Sequence, residues 1–113
     1  MKTRTLSFLV TLLAIGLGLS QNAHGVTPPP DGGYPGRNTA EGDNALLSLT
    51  NGTENTAVGL SALASNKTGS FNTAIGAGAL LANTVDENTA TGARALLNNT
   101  TGDTNTANGA FAL

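Results

Sequence analysis

The sequence predicts a repeat solenoid, like a β-solenoid or parallel β-roll, with coils of about 17 residues. First, the motif Asn-Thr-Ala-x-Gly occurs five times, at spacings of 17, 17, 16 and 17 residues. Second, an Ala-Leu pair follows every motif at the same distance. Third, the chain of 113 residues contains no cysteine, so a small domain must gain its stability from stacked repeats or from oligomerisation.

Three columns of residues recur in every unit and define the expected stack. The asparagines are Asn38, Asn55, Asn72, Asn88 and Asn105, the glycines are Gly42, Gly59, Gly76, Gly92 and Gly109, and the leucines are Leu46, Leu63, Leu80, Leu96 and Leu113. A single unit cannot bury its leucine alone, whereas stacked units place all the leucines in one continuous row. We therefore expect the core to run along the axis of the stack.

The first element of each unit is a short strand over Asn-Thr-Ala-x-Gly. Threonine and the variable residue, which is Val58 or Ile75 in two units, favour strands. Alternation along a strand predicts that Asn, Ala and Gly face inward and that Thr and the variable residue face outward. The stacked asparagine side chains are expected to form a hydrogen-bonded row. The glycine marks a bend where a Cβ would collide or where φ is positive.

The second element, around Ala-Leu, has two interpretations. Its seven residues are long enough for one or two helical turns, ended by Asn66, Asn83 or Asn99 in a left-handed cap, or for a second short strand. Periodicity over so few residues does not distinguish the two. A turn then closes the unit at Gly52, Gly69 or Gly102, and the third unit is one residue short at this turn and lacks the glycine.

Residues 1–25 have the pattern of a secretory signal peptide. Lys2 and Arg4 precede an apolar run at 6–19, and Ala23 and Gly25 provide small residues for cleavage, with cleavage after Ser20 as the alternative. The run is shorter than the roughly 20 residues that span a bilayer. Residues 26–37 are a Pro/Gly-rich arm or linker, and residues 38–113 hold about four and a half repeats. We expect a secreted, extracellular or cell-surface protein with no membrane segment after cleavage.

Charge and residue types exclude several functions. Residues 26–113 carry three basic and seven acidic side chains, so no electrostatic surface for nucleic acid is expected. No nucleophile can be paired with a histidine or cysteine, and the carboxylates occupy variable positions. We therefore expect no enzyme, no cofactor and no metal site.

Two surface features suggest further hypotheses. Asn51, Asn66, Asn98 and Asn99 lie in Asn-x-Thr sequons, which are candidate glycosylation sites and which an Asn/Thr-rich chain also produces by accident. The threonine that follows each column asparagine would form one outward file. Ice-binding surfaces usually present two such files, so ice binding is a minor alternative.

The repeats resemble the NTAxGxxALxxNTTG repeats of bacterial surface and phage tail-fibre proteins. They bear a weaker similarity, through Ala57-Val58-Gly59 and Ala74-Ile75-Gly76, to the head domains of trimeric autotransporter adhesins. Those heads are left-handed parallel β-rolls with shorter repeats, and this chain shows no coiled-coil stalk or anchoring barrel. The resemblance implies an extended, self-associating surface structure without catalytic residues.

These observations predict a structural subunit that forms a filament with further copies of itself. The last unit stops at Ala112-Leu113 without a polar capping repeat, the core is thin and disulfides are absent. The arm at 26–37 would complete the last repeat of a neighbouring copy. The alternatives are a trimeric, non-polymerising adhesin head and a fragment of a longer adhesin.

Overall fold

In the computed structural model, which describes residues 34–113, the chain forms a parallel β-solenoid of about four turns. The expected signal peptide and most of the arm lie outside the described residues. Five strands stack in chain order into one parallel sheet. They are β1 (Thr39–Glu41), β2 (Thr56–Val58), β3 (Thr73–Ile75), β4 (Thr89–Thr91) and β5 (Thr106–Asn108).

Equivalent positions of successive repeats pair with one another. Ala57 pairs with Ala74, and the same threonine, alanine and variable positions align at every step. The short third repeat does not disturb the register, because Thr73 still pairs with Thr89, 16 residues later. The expected solenoid with a period of about 17 residues is therefore confirmed.

The core is a narrow column of small and medium apolar side chains. Ala57, Ala74, Leu63 and Leu80 are all fully buried. Complete burial of a leucine side chain is worth about 1.5–3 kcal/mol, so the leucine column is the largest apolar contribution in each coil. Leu113 is the exception to the predicted row, because it is 88% exposed.

The Ala-Leu segment is neither a helix nor a second strand. Residues 34–113 contain no helix, and their only strands are the five three-residue strands. Ser61 and Leu63 adopt left-handed φ values of 57° and 51°, and Leu63 N–H donates to Ala79 O of the next coil at 3.1 Å. A helix needs consecutive right-handed residues and internal bonds, so the predicted helical turn is wrong. The predicted left-handed cap at Asn66, Asn83 or Asn99 is also wrong, since the leucine holds the positive φ.

The coil geometry begins before Asn38. Gly36 O accepts from Glu54 N–H at 2.8 Å, just as Thr53 O accepts from Phe71 N–H at 3.0 Å one coil later. Arg37 has a φ of 60°, matching 58° at Glu54. The end of the predicted arm therefore occupies the last two positions of a preceding coil, whereas the sequence predicts that the repeats begin at Asn38.

Candidate functional site

The inner side of the sheet carries a ladder of asparagine side chains. Asn38 Oδ1 accepts from the backbone N–H of Asn55 at 2.9 Å and from its Nδ2 at 3.1 Å. The same two bonds join Asn72 to Asn55 and Asn105 to Asn88. Each Oδ1 thus links one coil to the next inside the protein, where an unsatisfied amide would cost about 1–3 kcal/mol.

A second column of asparagines lies inside the coils and closes the corner before each turn. Asn66 is fully buried, and its Oδ1 accepts from Gly69 N–H at 3.0 Å while its Nδ2 donates to Gly69 O at 2.8 Å. Asn99 makes the same two bonds with Gly102. From the sequence, Asn66 and Asn99 are candidate caps and sequon residues. The equivalent position in the first repeat is Leu49. An apolar residue at the same position of another repeat indicates that the position faces the interior.

The short third repeat is accommodated by a change of side-chain partners. It has no glycine N–H for Asn83 Oδ1, which accepts instead from Asn88 Nδ2 at 3.1 Å and from Asn99 Nδ2 at 3.0 Å. Asn88 keeps the backbone half of the ladder, since its N–H donates to Asn72 Oδ1 at 2.9 Å. The ladder therefore continues through the deletion.

The glycine column is where neighbouring coils approach most closely. A Cβ added to Gly42, Gly59, Gly76 or Gly92 would lie 2.8, 2.7, 2.6 or 2.5 Å from the carbonyl carbon of the next glycine in the column. All these glycines also have a positive φ, between 118° and 130°. Gly109 has the same backbone conformation, with φ 122°, but within the described chain its added Cβ would meet nothing within 4 Å.

The outer edge of β5 presents the groups that join coils elsewhere. Thr39, Thr56, Thr73 and Thr89 each donate their N–H to the next asparagine carbonyl at 2.8 Å. The described residues place no coil next to Thr106, and they provide no donor for Asn105 Oδ1. The last coil nevertheless packs firmly on its neighbour, since Phe111 N–H donates to Ala93 O at 2.8 Å.

The outward face of the sheet carries two files of side chains. One consists of the five threonines at the first strand position, aligned by the sheet register. The other is chemically mixed and consists of Glu41, Val58, Ile75, Thr91 and Asn108. Val58 and Ile75 are adjacent and 37% and 43% exposed, and Leu60 nearby is 56% exposed. The face therefore has one regular hydroxyl file beside a small apolar patch, which we define as Val58 and Ile75; Leu60 follows the Gly59 bend and lies outside the strands.

Polar chemistry outside these columns is sparse. Within residues 34–113, no group of three or more His, Cys, Asp or Glu side chains is placed to hold a metal ion. The exposed Arg37 guanidinium pairs with Glu54, and Arg94 lies 5.7 Å from the centre of the Phe111 ring.

No helix in the described part of the chain is long and apolar enough to cross a membrane.

The candidate functional surfaces are thus the edges of the stack, where coils would pair, and the outward face of the sheet with its two files of side chains. A scan against protein-family models and searches of curated proteins and of solved structures found no match to this chain.

Proposed function

We propose that the chain is a secreted structural subunit whose coils stack on the coils of further copies, forming an extracellular filament or surface fibre. The observation that carries the proposal is the outer edge of β5, which repeats the contact surface that each preceding coil presents to its neighbour. Such contacts between head and tail generate open filaments when the rotation between copies does not close a ring.

Each component of the repeated contact has a counterpart on this edge. At the internal steps, asparagine Oδ1 accepts from the following asparagine N–H at 2.9–3.0 Å, and Asn105 offers the same oxygen. A second copy would bring a matching donor at Asn38, where its first complete coil begins. At every internal step the space beside the column glycine is filled by the glycine of the next coil, and the same space beside Gly109 is open within the described chain.

The opposite side of the described array begins with part of a coil and a short bridge. Gly36 and Arg37 already follow the path of a preceding coil. Tyr34 turns back in an antiparallel bridge and donates its N–H to Asn38 O at 3.0 Å, the carbonyl that Thr106 N–H of another copy would need. Stacking on this side therefore requires the Tyr34–Asn38 bridge to open, whereas the edge of β5 needs no such change. In-register coils would advance the fibre by about 4.7–4.9 Å each.

Electron microscopy and sedimentation of the purified chain over a range of concentrations test the proposal. We expect fibres that lengthen with concentration, and we expect Gly109→Ala to abolish them, because its Cβ would occupy the space of the incoming coil. Gly78→Ala is the matched control, since Gly78 also has a positive φ, of 69°, but its added Cβ would meet only side-chain atoms at 3.5 Å or more. Monomers at every concentration, or fibres unaffected by Gly109→Ala, would contradict stacking through this edge.

The apolar patch favours a second candidate function, that of an adhesin-like binding module that does not polymerise. Exposed apolar side chains that are adjacent on one face of a sheet are suited to contact with another macromolecule. This function predicts saturable binding to a surface ligand by monomers or trimers, weakened by Val58→Thr with Ile75→Thr but unchanged by Gly109→Ala. Ice binding remains a minor alternative, because only one file of threonines is regular, and it predicts thermal hysteresis.

A further inference from the structure

The four sequon asparagines differ in whether the fold exposes the atom that a glycan would occupy. N-linked glycans attach to Nδ2, which must point into solvent with room for a bulky sugar. Asn66 cannot meet this condition in the folded chain, since it is fully buried and its Nδ2 donates to Gly69 O at 2.8 Å. Asn99 is half-buried, and its Nδ2 donates to Gly102 O at 2.6 Å and to Asn83 Oδ1 at 3.0 Å.

Asn51 and Asn98 have the opposite environment. Both are exposed, and among residues 34–113 neither side-chain amide is used in a hydrogen bond that holds the coils together. Asn98 and Asn99 are consecutive in the sequence, so a single backbone step separates an outward amide from an inward one. The overlapping sequons at this corner are therefore not equivalent.

We propose that Asn51 and Asn98 are the two N-linked glycan acceptor sites of the folded chain, and that Asn66 and Asn99 are not acceptors. In the transfer, Nδ2 forms a bond to the anomeric carbon of a lipid diphosphate-linked oligosaccharide. The bond from that carbon to the diphosphate oxygen breaks, the lipid diphosphate leaves, and the amide nitrogen loses one proton.

The two sites lie at different levels of the stack. Asn51 belongs to the first coil and Asn98 to the fourth, so about 14 Å of stack separates them at the usual strand spacing. Neither lies in a strand. The equivalent residues Ser48, Ser65 and Ala82 donate their N–H to the following coil, so a filament would bring another copy next to Asn98. The inference therefore concerns the isolated folded chain.

The direct test treats the complete folded chain, produced without glycans, with a purified oligosaccharyltransferase and its lipid-linked donor. Intact mass and peptide mapping should show modification at Asn51 and Asn98 only. Asn98→Gln should remove one glycan, whereas Asn99→Gln should remove none. Modification of Asn66 or Asn99 in the folded chain would overturn the proposal, as would unmodified Asn51 and Asn98 under conditions that modify an unstructured sequon peptide.

A chemical probe provides a second measurement that needs no enzyme. The natural chain has no cysteine, so a single substituted thiol is the only one present. We expect Asn98→Cys to react with a polyethylene glycol maleimide at the rate of an exposed thiol. We expect Asn99→Cys to react at about one tenth of that rate or more slowly, because its thiol becomes accessible only when the corner opens locally. Equal rates for the two variants in the folded state would contradict the assignment of Asn98 as outward and Asn99 as inward.

Discussion

The glycine column allows the contact between coils to be measured separately from backbone strain. Gly76 and Gly109 have φ values of 130° and 122°, so replacing either with alanine introduces a comparable conformational cost. Only at Gly76 does the added Cβ collide, at 2.6 Å from both the carbon and the oxygen of the Gly92 carbonyl. The difference between the two variants therefore reports the packing of one coil on the next.

The expected magnitude follows from these two terms. An L-residue in such a conformation costs about 1–3 kcal/mol, and this term is common to Gly76→Ala and Gly109→Ala. The collision at Gly76 involves backbone atoms that cannot rotate away, so the coils must separate, at an overpacking cost of about 1–3 kcal/mol more. Separation would also weaken the bond from Gly92 N–H to Ile75 O, which is 2.8 Å long. We expect Gly76→Ala to lose about 1–3 kcal/mol more of the free energy of unfolding than Gly109→Ala.

Urea unfolding followed by far-ultraviolet circular dichroism measures this difference. The free energy of unfolding of a domain this small falls by about 1 kcal/mol per molar urea, so the two midpoints should differ by about 1–3 M. The protein concentration should be low enough to keep the chain monomeric, because association would stabilise the folded state.

A third variant separates the contact from the position of the coil in the stack. Terminal coils unfold locally more easily, which by itself would make Gly109→Ala mild. Gly42 also lies in a terminal coil of the described array, yet its added Cβ would lie 2.8 Å from Gly59 C. We expect Gly42→Ala to be more damaging than Gly109→Ala. The same midpoint for all three variants would refute the argument that coil-to-coil contact selects glycine.

Three further predictions concern the interior and the backbone, each with urea unfolding as the measurement. Asn72→Leu should lower the free energy of unfolding by several kcal/mol, because it leaves buried partners unpaired at about 1–3 kcal/mol each. The surface control Asn51→Leu should change it by about 0.5 kcal/mol or less. Equal effects of the two variants would show that the asparagine ladder is not stabilising. Leu80→Ala should lower the free energy of unfolding by about 2–5 kcal/mol, because it removes a buried side chain and leaves a cavity. Leu47→Ala should be nearly neutral, because Leu47 is 68% exposed. A small effect of Leu80→Ala would mean that the core lies elsewhere. Ser61→Gly should stabilise by up to about 1 kcal/mol, since it relieves a left-handed residue at φ 57°, and a destabilised variant would mean that the serine side chain outweighs the strain.

The sequence predicts the parts of this fold that depend on repetition. Asparagine, glycine and leucine recur at fixed distances, so the period, the stacking direction and the inward-facing positions follow from counting. Leu113 is the limit of that reasoning, because it is 88% exposed in the last coil although Leu46 in the first coil is buried. The same counting could have identified Asn66 as interior, since it aligns with Leu49.

The conformation of the Ala-Leu segment could not be predicted in the same way. Local propensity favours a helix for alanine and leucine, but Leu63 adopts a left-handed φ, a conformation that costs an isolated L-residue roughly 1–2 kcal/mol. The hydrogen bond from Leu63 N–H to Ala79 O and the burial of its side chain offset this cost, and both depend on the neighbouring coil. Propensity describes a single segment, whereas this conformation is stabilised only in the stack.

The short third repeat has a practical consequence for engineering. At the corner formed by Thr84 and Val85, one residue is missing, and Asn83 Oδ1 accepts from Asn88 Nδ2 and Asn99 Nδ2 instead of from a glycine N–H. This corner therefore tolerates a change in chain length that the strands would not. Guest peptides such as epitopes or affinity tags inserted at this corner would project sideways from the scaffold, and they must leave Val85 in place, because its carbonyl accepts from Asn72 Nδ2 and Asn83 Nδ2 at 2.8 Å.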